Sequence, residues 1–510
     1  MKSYQRIKSI LIETVSLLYV LLFIYAAGSK FLDFENFQVQ LGQSPLLSAF
    51  AEWVAWGVPI AELLISVLLI FPRYRLLGLF AAFSLMVMFT TYIIIILNFS
   101  SFIPCSCGGI LEKLGWTEHL VFNGVFILLA AAGILILARG VSEERRILKP
   151  AALASIFSVS LFCSIGMVVF LFTLSENRMQ YHNSFVRRFP HFPAEKKNQM
   201  DLKFNSYYFA GSGEGKIFLG NFTAPLQILE IDTTLKIKKT HRIELNRKNF
   251  PFRSVTIKVA PPYFFVTDGS VPCIFRGSIK DWKAKFMMQG SEYFTKIEPI
   301  DSTTMVIRAM SKKNGESILG TINLRDTTKV HLSPKLLEKQ IDGFLDTDGT
   351  LLYNAQLQRL VYQYRYRNQF IVADRNLNID FRGTTIDTIS HPKLDIRYVA
   401  STDERKFGAP AVIVNKTNAA YSNLFFVNSA LPGKYESALT WKQASIIDLY
   451  NLNTRGYISS FYIYDVNGKK LNSFLVVKNL LFALIDDQLV LYKLRKSVTS
   501  HYLKNNRENK

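Results

Sequence analysis

Two cysteines one residue apart, in Pro104-Cys105-Ser106-Cys107-Gly108-Gly109, are the side chains of this 510-residue chain best suited by type and spacing to do chemistry. A cysteine acts as nucleophile or metal ligand through its thiolate, and the two glycines leave the loop backbone free to adapt. Behind them, Ile110 to Trp116 reads as a short helical turn lying in a membrane interface, with Trp116 as its anchor. The free N–H groups at such a helix start favour a thiolate just ahead of it. A disulfide between Cys105 and Cys107 would close a very small ring of restricted geometry, and strained, exposed disulfides are the labile, oxidising ones. Redox exchange therefore ranks first, a permanently oxidised loop staple second, and a copper or zinc site of Cys105, Cys107 and His119 third. The metal reading lacks the second ligand cluster that would make it specific.

The remaining cysteines do not complete a relay. Cys163 falls in the middle of an apolar run, where it is expected to pack as a small hydrophobe, and Cys273 follows Pro272 in a strand-like context, expected to be buried and inert. Quinone-coupled thiol oxidases use two cysteine pairs, and only one pair is available here. The loop is therefore expected to exchange with a separate thioredoxin-like protein or directly with a client. No cofactor is fixed by the residues; a quinone is the candidate electron acceptor.

The elements that must hold this loop are membrane spans. Five runs are long and apolar enough to cross ~30 Å of hydrocarbon, near Leu11–Ala27, Trp53–Phe71, Leu76–Leu97, Leu120–Ala138 and Ala151–Leu174. The first is read as a retained helix rather than a cleaved signal, because Glu13 interrupts it and four spans follow. Basic residues gather at Lys2, Arg6 and Lys8, at Arg73 and Arg75, and at Arg139, Arg145, Arg146 and Lys149, whereas the alternate gaps carry only Lys30 and Lys113. By the positive-inside rule the N-terminus is cytoplasmic, and the cysteine loop and everything after the fifth span are outside. In a bacterium that means an inner-membrane protein with a periplasmic C-terminal domain, where disulfide chemistry is permitted. Charged residues inside spans need a reason. Glu13 and Glu62 are expected to face the bundle interior, in a proton path, opposite a cation such as Lys30, or in an interhelical hydrogen bond, and Pro59 is placed to kink the second span.

The second half is a different material. Residues 1–175 carry 11 basic and 9 acidic side chains, so +19 of the +21 net charge falls on residues 176–510. A basic domain beside a membrane suits anionic headgroups or an acidic partner, and a lysine-rich solvated surface is the plainer account. Nucleic acid is excluded by the absence of any recognition motif. Residues 176–202 read as a polar linker, 203–500 as an all-β domain and 501–510 as a polar tail. Apolar strands ending in a small or polar residue begin at Ile217, Phe264, Met305, Leu351, Phe425 and Leu481, at spacings of 47, 41, 46, 74 and 56. Six units at this period predict a six-bladed β-propeller, with five or seven blades or a two-sheet sandwich as alternatives. Asp346-Thr347-Asp348-Gly349 reads as a tight turn rather than a calcium loop. Tyr362 to Arg367 is either a recognition patch or simple strand alternation.

The first third of the chain resembles the MauE/DoxX-like family of redox-associated membrane proteins. The resemblance rests on Gly28-Ser29-Lys30-Phe31-Leu32-Asp33, Glu62, Cys105-Ser106-Cys107-Gly108-Gly109, Leu114-Gly115-Trp116, His119 and Asn123. It implies a multi-helix bundle, and for the MauE branch a part in forming or transferring disulfides in periplasmic proteins, including maturation of methylamine dehydrogenase. The appended β domain departs from the short family form, so methylamine does not follow for this chain. Expected together are a membrane thiol–disulfide protein with Cys105 and Cys107 reacting, Lys30, Glu62, Trp116 and His119 in support, and the propeller recruiting the client. The alternative is a non-enzymatic binding or assembly module anchored, or serving transport, through its bundle.

Overall fold

The computed structural model describes residues 2–43, 50–99, 115–138, 149–179, 183–247, 250–325, 330–399 and 404–503. The cysteine loop at 100–114 and the tail at 504–510 lie outside the described residues. Two compact units are present: residues 1–181 with 394–411, and residues 182–393 with 412–510.

The first unit is helical: α1 Lys2–Leu32, α2 Phe34–Gln43, α3 Ala51–Ile70, α4 Arg75–Phe99, α5 Trp116–Ala138 and α6 Pro150–Met179. All but α2 are long and apolar enough to cross a membrane. These five correspond to the expected spans, with α5 starting at Trp116 instead of four residues later. Helices this uniformly apolar bury one face on their neighbours and leave the rest for lipid. The shared core runs from Val15, Tyr19 and Phe23 of α1 to Ile65 and Leu69 of α3, Leu79 to Val87 of α4, and Ala130 and Ile134 of α5. Helix α6 joins through Phe157, which packs edge-on to Phe83, and through a 2.6 Å hydroxyl pair between Ser160 and Ser84.

Among the described residues the second unit is built from four-stranded antiparallel meanders, the first two of them joined with the short strand Glu244–Leu245 into one nine-stranded sheet. Five occupy residues 207–242, 255–289, 294–333, 349–384 and 415–464, and a sixth combines 471–494 with the strand Ala194–Asp201. This radial repetition is a β-propeller. Each of the six apolar units read from the sequence lies in a different four-stranded meander, and the 74-residue spacing holds an extra hairpin, Ile396–Val399 with Glu404–Phe407, which clusters with the helical unit. Inner strands such as Leu424–Ser429 are buried throughout, whereas outer strands such as Lys238–Arg242 are largely exposed. The polar residue closing many strands has a defined job. Asn221, Asp232, Asp268, Asn354, Asp374 and Asn451 each accept hydrogen bonds from two or more backbone amides of the following turn. The first two sheets meet at Gly211 beside Val259, where a Cβ would stand 1.9 Å from the Val259 carbonyl oxygen.

Two expectations are corrected here. The segment 176–202 is not a linker: it contains the end of α6 and the strand Ala194–Asp201, paired antiparallel with residues 488–494. Its sequence, Ala-Glu-Lys-Lys-Asn-Gln-Met-Asp, lacks apolar alternation because it is the outer strand of its sheet. The stretch Tyr362–Arg367 is not a recognition patch, since Tyr362, Tyr364 and Arg367 are fully buried, with the Arg367 guanidinium 3.6 Å from the centre of the Tyr364 ring.

Candidate functional site

Within the helical unit, polar side chains converge where α1 ends. Lys30 lies two residues before the end of α1, and its Nζ donates to Glu62 Oε1 of α3 at 2.5 Å. Glu62 is 1 % exposed, and its Oε2 has no hydrogen-bond partner among the described residues. The Lys30 ammonium also lies 5.8 Å from the Phe37 ring centre on α2 and 5.9 Å from that of Phe89 on α4. Ring faces attract a cation electrostatically, and more so where water is scarce. Four helices thus contribute to one charge pair: lysine from α1, carboxylate from α3 and aromatic faces from α2 and α4. One turn below, Ser66 Oγ donates to the Glu62 carbonyl. Helix α3 runs unbroken through Pro59, whose ring removes one backbone donor three residues ahead of Glu62.

The α5 end of the site comes from its first two turns. His119 N donates to the Gly115 carbonyl, and the imidazole is near enough to Lys30 to feel its charge. One turn on, Asn123 is buried, with its Nδ2 unpartnered among the described residues. Trp116 sits half-buried at the first position of α5. So Lys30 and Glu62, two of the residues singled out from sequence, are paired, His119 stands on the first turn of α5, and Cys105 and Cys107 fall outside the described residues. Helix α5 begins nine residues after Cys107 in the chain.

Other singled-out residues take different places. Glu13 does not face the interior: it is 58 % exposed and stands 3.9 Å from Arg75. Cys163 is exposed on α6, so in a bilayer it meets lipid rather than packing in the bundle. Cys273 is buried in the propeller, where burial first and then the Asp268 charge push its thiol up to about 12. A thiol so held stays protonated and inert. Asp346 is buried, accepting from the amides of Gln340, Ile341 and Gly343, in keeping with a structural turn. No group of three or more metal-ligating side chains occurs among the described residues.

One cluster had no sequence signal. Arg187 is buried in the propeller, its Nε 2.7 Å from Asp448 Oδ1, its Nη2 3.0 Å from Oδ2 and its Nη1 2.8 Å from Glu436 Oε1. Burial works against the charged guanidinium, but Asp448 and Glu436 outweigh it and hold its pKa above the ordinary value. The partners lie 261 and 249 residues away, beyond any local pattern. Phe37 and Phe89 were equally invisible, being ordinary apolar residues until Lys30 is placed between them.

Residues 8–136 match the family model of the methylamine utilisation protein MauE, a stretch that takes in α1 through nearly all of α5. No curated protein sequence matches the chain. Similar solved structures include the β-propeller domain of Cps50 (Swd1) from Myceliophteria thermophila, at 8 % identity and TM-score 0.34, covering 59 % of this chain and 100 % of that one. A structural genomics protein of unknown function from Bacteroides thetaiotaomicron has 10 % identity and TM-score 0.37, covering 61 % and 76 %. A chain of the nidogen/laminin complex has 10 % identity and TM-score 0.31, covering 50 % and 79 %. At these values the sheet order within the chain, not the likeness, carries the fold.

Proposed function

We propose that the protein is a membrane thiol–disulfide exchange protein whose Cys105/Cys107 pair passes disulfides to a partner. The observation that carries this reading is the buried Lys30–Glu62 ion pair inside a helical unit whose fifth span directly follows the cysteine loop in the chain. In the exchange, a client thiolate attacks one sulfur of the Cys105–Cys107 disulfide and the intramolecular S–S bond breaks. A mixed disulfide forms and the other loop cysteine leaves as a thiolate. The second client thiolate then attacks the client sulfur of the mixed disulfide and frees the second loop cysteine. Two electrons have moved from the client to the loop, the two loop thiolates take up protons from water in place of those the client thiols gave up to it, and the client holds a new disulfide. A cation near the loop favours the leaving thiolate, which is the part assigned to Lys30. Glu62 keeps that lysine in place, and His119 and Trp116 support the loop from the first turn of the helix that follows it. A thioredoxin-like protein or a membrane quinone reoxidises the pair, and the propeller recruits the client. By charge bias the protein is assigned to a bacterial inner membrane, with its N-terminus cytoplasmic and the propeller periplasmic.

Thiol trapping in cells tests the reading directly. Cys105 and Cys107 are expected to be found in both redox states, and Cys107→Ser or Cys105→Ser to accumulate a mixed disulfide with a second protein. A pair that remains fully oxidised and inert to reductant, with both serine variants fully functional, overturns it in favour of a membrane-anchored binding module.

A further inference from the structure

From the propeller surface we infer a second, lipid-binding site, independent of the disulfide reading: the loop 431–443 is an interfacial anchor that inserts into the headgroup layer of an anionic membrane. The loop joins the second and third strands of the 415–464 sheet and carries a short helix, α7 Ala438–Gln443. Tyr435 is 77 % exposed and Leu439 71 %, with Lys434 and Lys442 exposed beside them. Phe189, stacked on Tyr462 at 4.7 Å, adds an exposed aromatic edge. The acidic residue of the loop, Glu436, is turned inward, its carboxylate buried against Arg187 and accepting a hydrogen bond from Trp441. What the loop offers to solvent is therefore aromatic, aliphatic and basic, the combination that settles at the boundary between headgroups and acyl chains.

Chain connectivity says which surface is within reach. The last apolar span ends at Leu174 and its helix at Met179. Only a few residues later, Asn183 Nδ2 donates to the Pro432 carbonyl, Lys434 N donates to the Phe185 carbonyl, and Arg187 Nη1 donates to the Leu431 carbonyl. The nine residues from Leu174 to Asn183 reach at most about 30 Å whatever their conformation. The loop is thus pinned to a segment that has just left the bilayer, and a lipid surface is the partner always present at that distance. The positive charge of Lys434 and Lys442 complements anionic headgroups.

The test uses the full chain in lipid nanodiscs, with an environment-sensitive fluorescent amino acid at position 439 and, in a separate variant, at Ile237, which is 69 % exposed in the turn after Asp232. Lipids brominated on their acyl chains are expected to quench the probe at 439 by about twofold or more, as befits a side chain at the acyl boundary, and to leave the probe at 237 unchanged. A probe at 435 repeats the measurement should the first variant fold poorly. In discs containing phosphatidylglycerol, K434E/K442E is expected to weaken the quenching, and more so at raised salt. Absence of quenching at both 435 and 439, or equal quenching at 237, overturns the proposal. So does protection of the loop by cross-linking to a protein while bromolipids have no effect.

Discussion

Removing either charge of the Lys30–Glu62 pair strands the other in a water-poor interior, so K30M and E62Q are each expected to destabilise the detergent-solubilised protein by about 3–5 kcal/mol. The double variant K30M/E62L replaces both charges by apolar groups and is expected to recover most of the loss. Thermal melts of the four proteins decide it: single variants that melt with the parent would show that the pair is not a load on the fold. A second buried carboxylate, in the propeller, gives a pH signature. Burial pushes the Asp387 carboxyl up to about 6 against hydrogen bonds from Thr385 and Ile389, and the nearby Asp448 adds to the rise. A carboxyl with a raised folded pKa contributes stability while it is protonated, and this is lost as pH climbs from about 4 through about 6. D387N is therefore expected to melt above the parent at pH 7.5, by up to ~3 kcal/mol, with the gap closing at pH 4.5. Equal melting at pH 7.5 would refute it. At this scale the sequence was informative where a charge sat in an apolar run: Lys30 and Glu62 stood out, and their pairing followed. It was silent on Arg187, whose partners are brought to it only by closure of the propeller, and it misjudged Arg367, where ring stacking on Tyr364 replaces the solvent that an arginine ordinarily keeps.

At the scale of elements, apolar length made the five spans legible and period made the blades legible, because inner strands are buried on both faces and read as continuous apolar runs. Outer strands carry no such mark. Ala194–Asp201 reads as a polar tether, yet it supplies the fourth strand beside residues 488–494. Replacing it by a glycine–serine segment of equal length is expected to leave 488–494 as a bare sheet edge, raising proteolysis within 471–494 and promoting aggregation. The same replacement of the hairpin at 394–411 removes no blade strand and is expected to leave the six sheets protected. If both replacements behave alike under limited proteolysis, the outer strand has no closing role.

For the whole molecule, the chain divides its labour by solvent: a nearly neutral helical unit carrying the buried Lys30–Glu62 pair, and a strongly basic propeller with Arg187 buried between Asp448 and Glu436. The strand Ala194–Asp201 has one further consequence, in time. It is made directly after the last span, but its partner, beginning at Gln488, follows 287 residues later than Asp201. At a synthesis rate of about 5–20 residues per second, that interval is roughly 15–60 s. Through that delay the first strand waits unpaired and five sheets assemble without a closed ring. Each copy of the protein must therefore be sheltered from its neighbours until its final strand arrives, and anything that slows translation of the last blade lengthens the period in which two half-made rings can join each other.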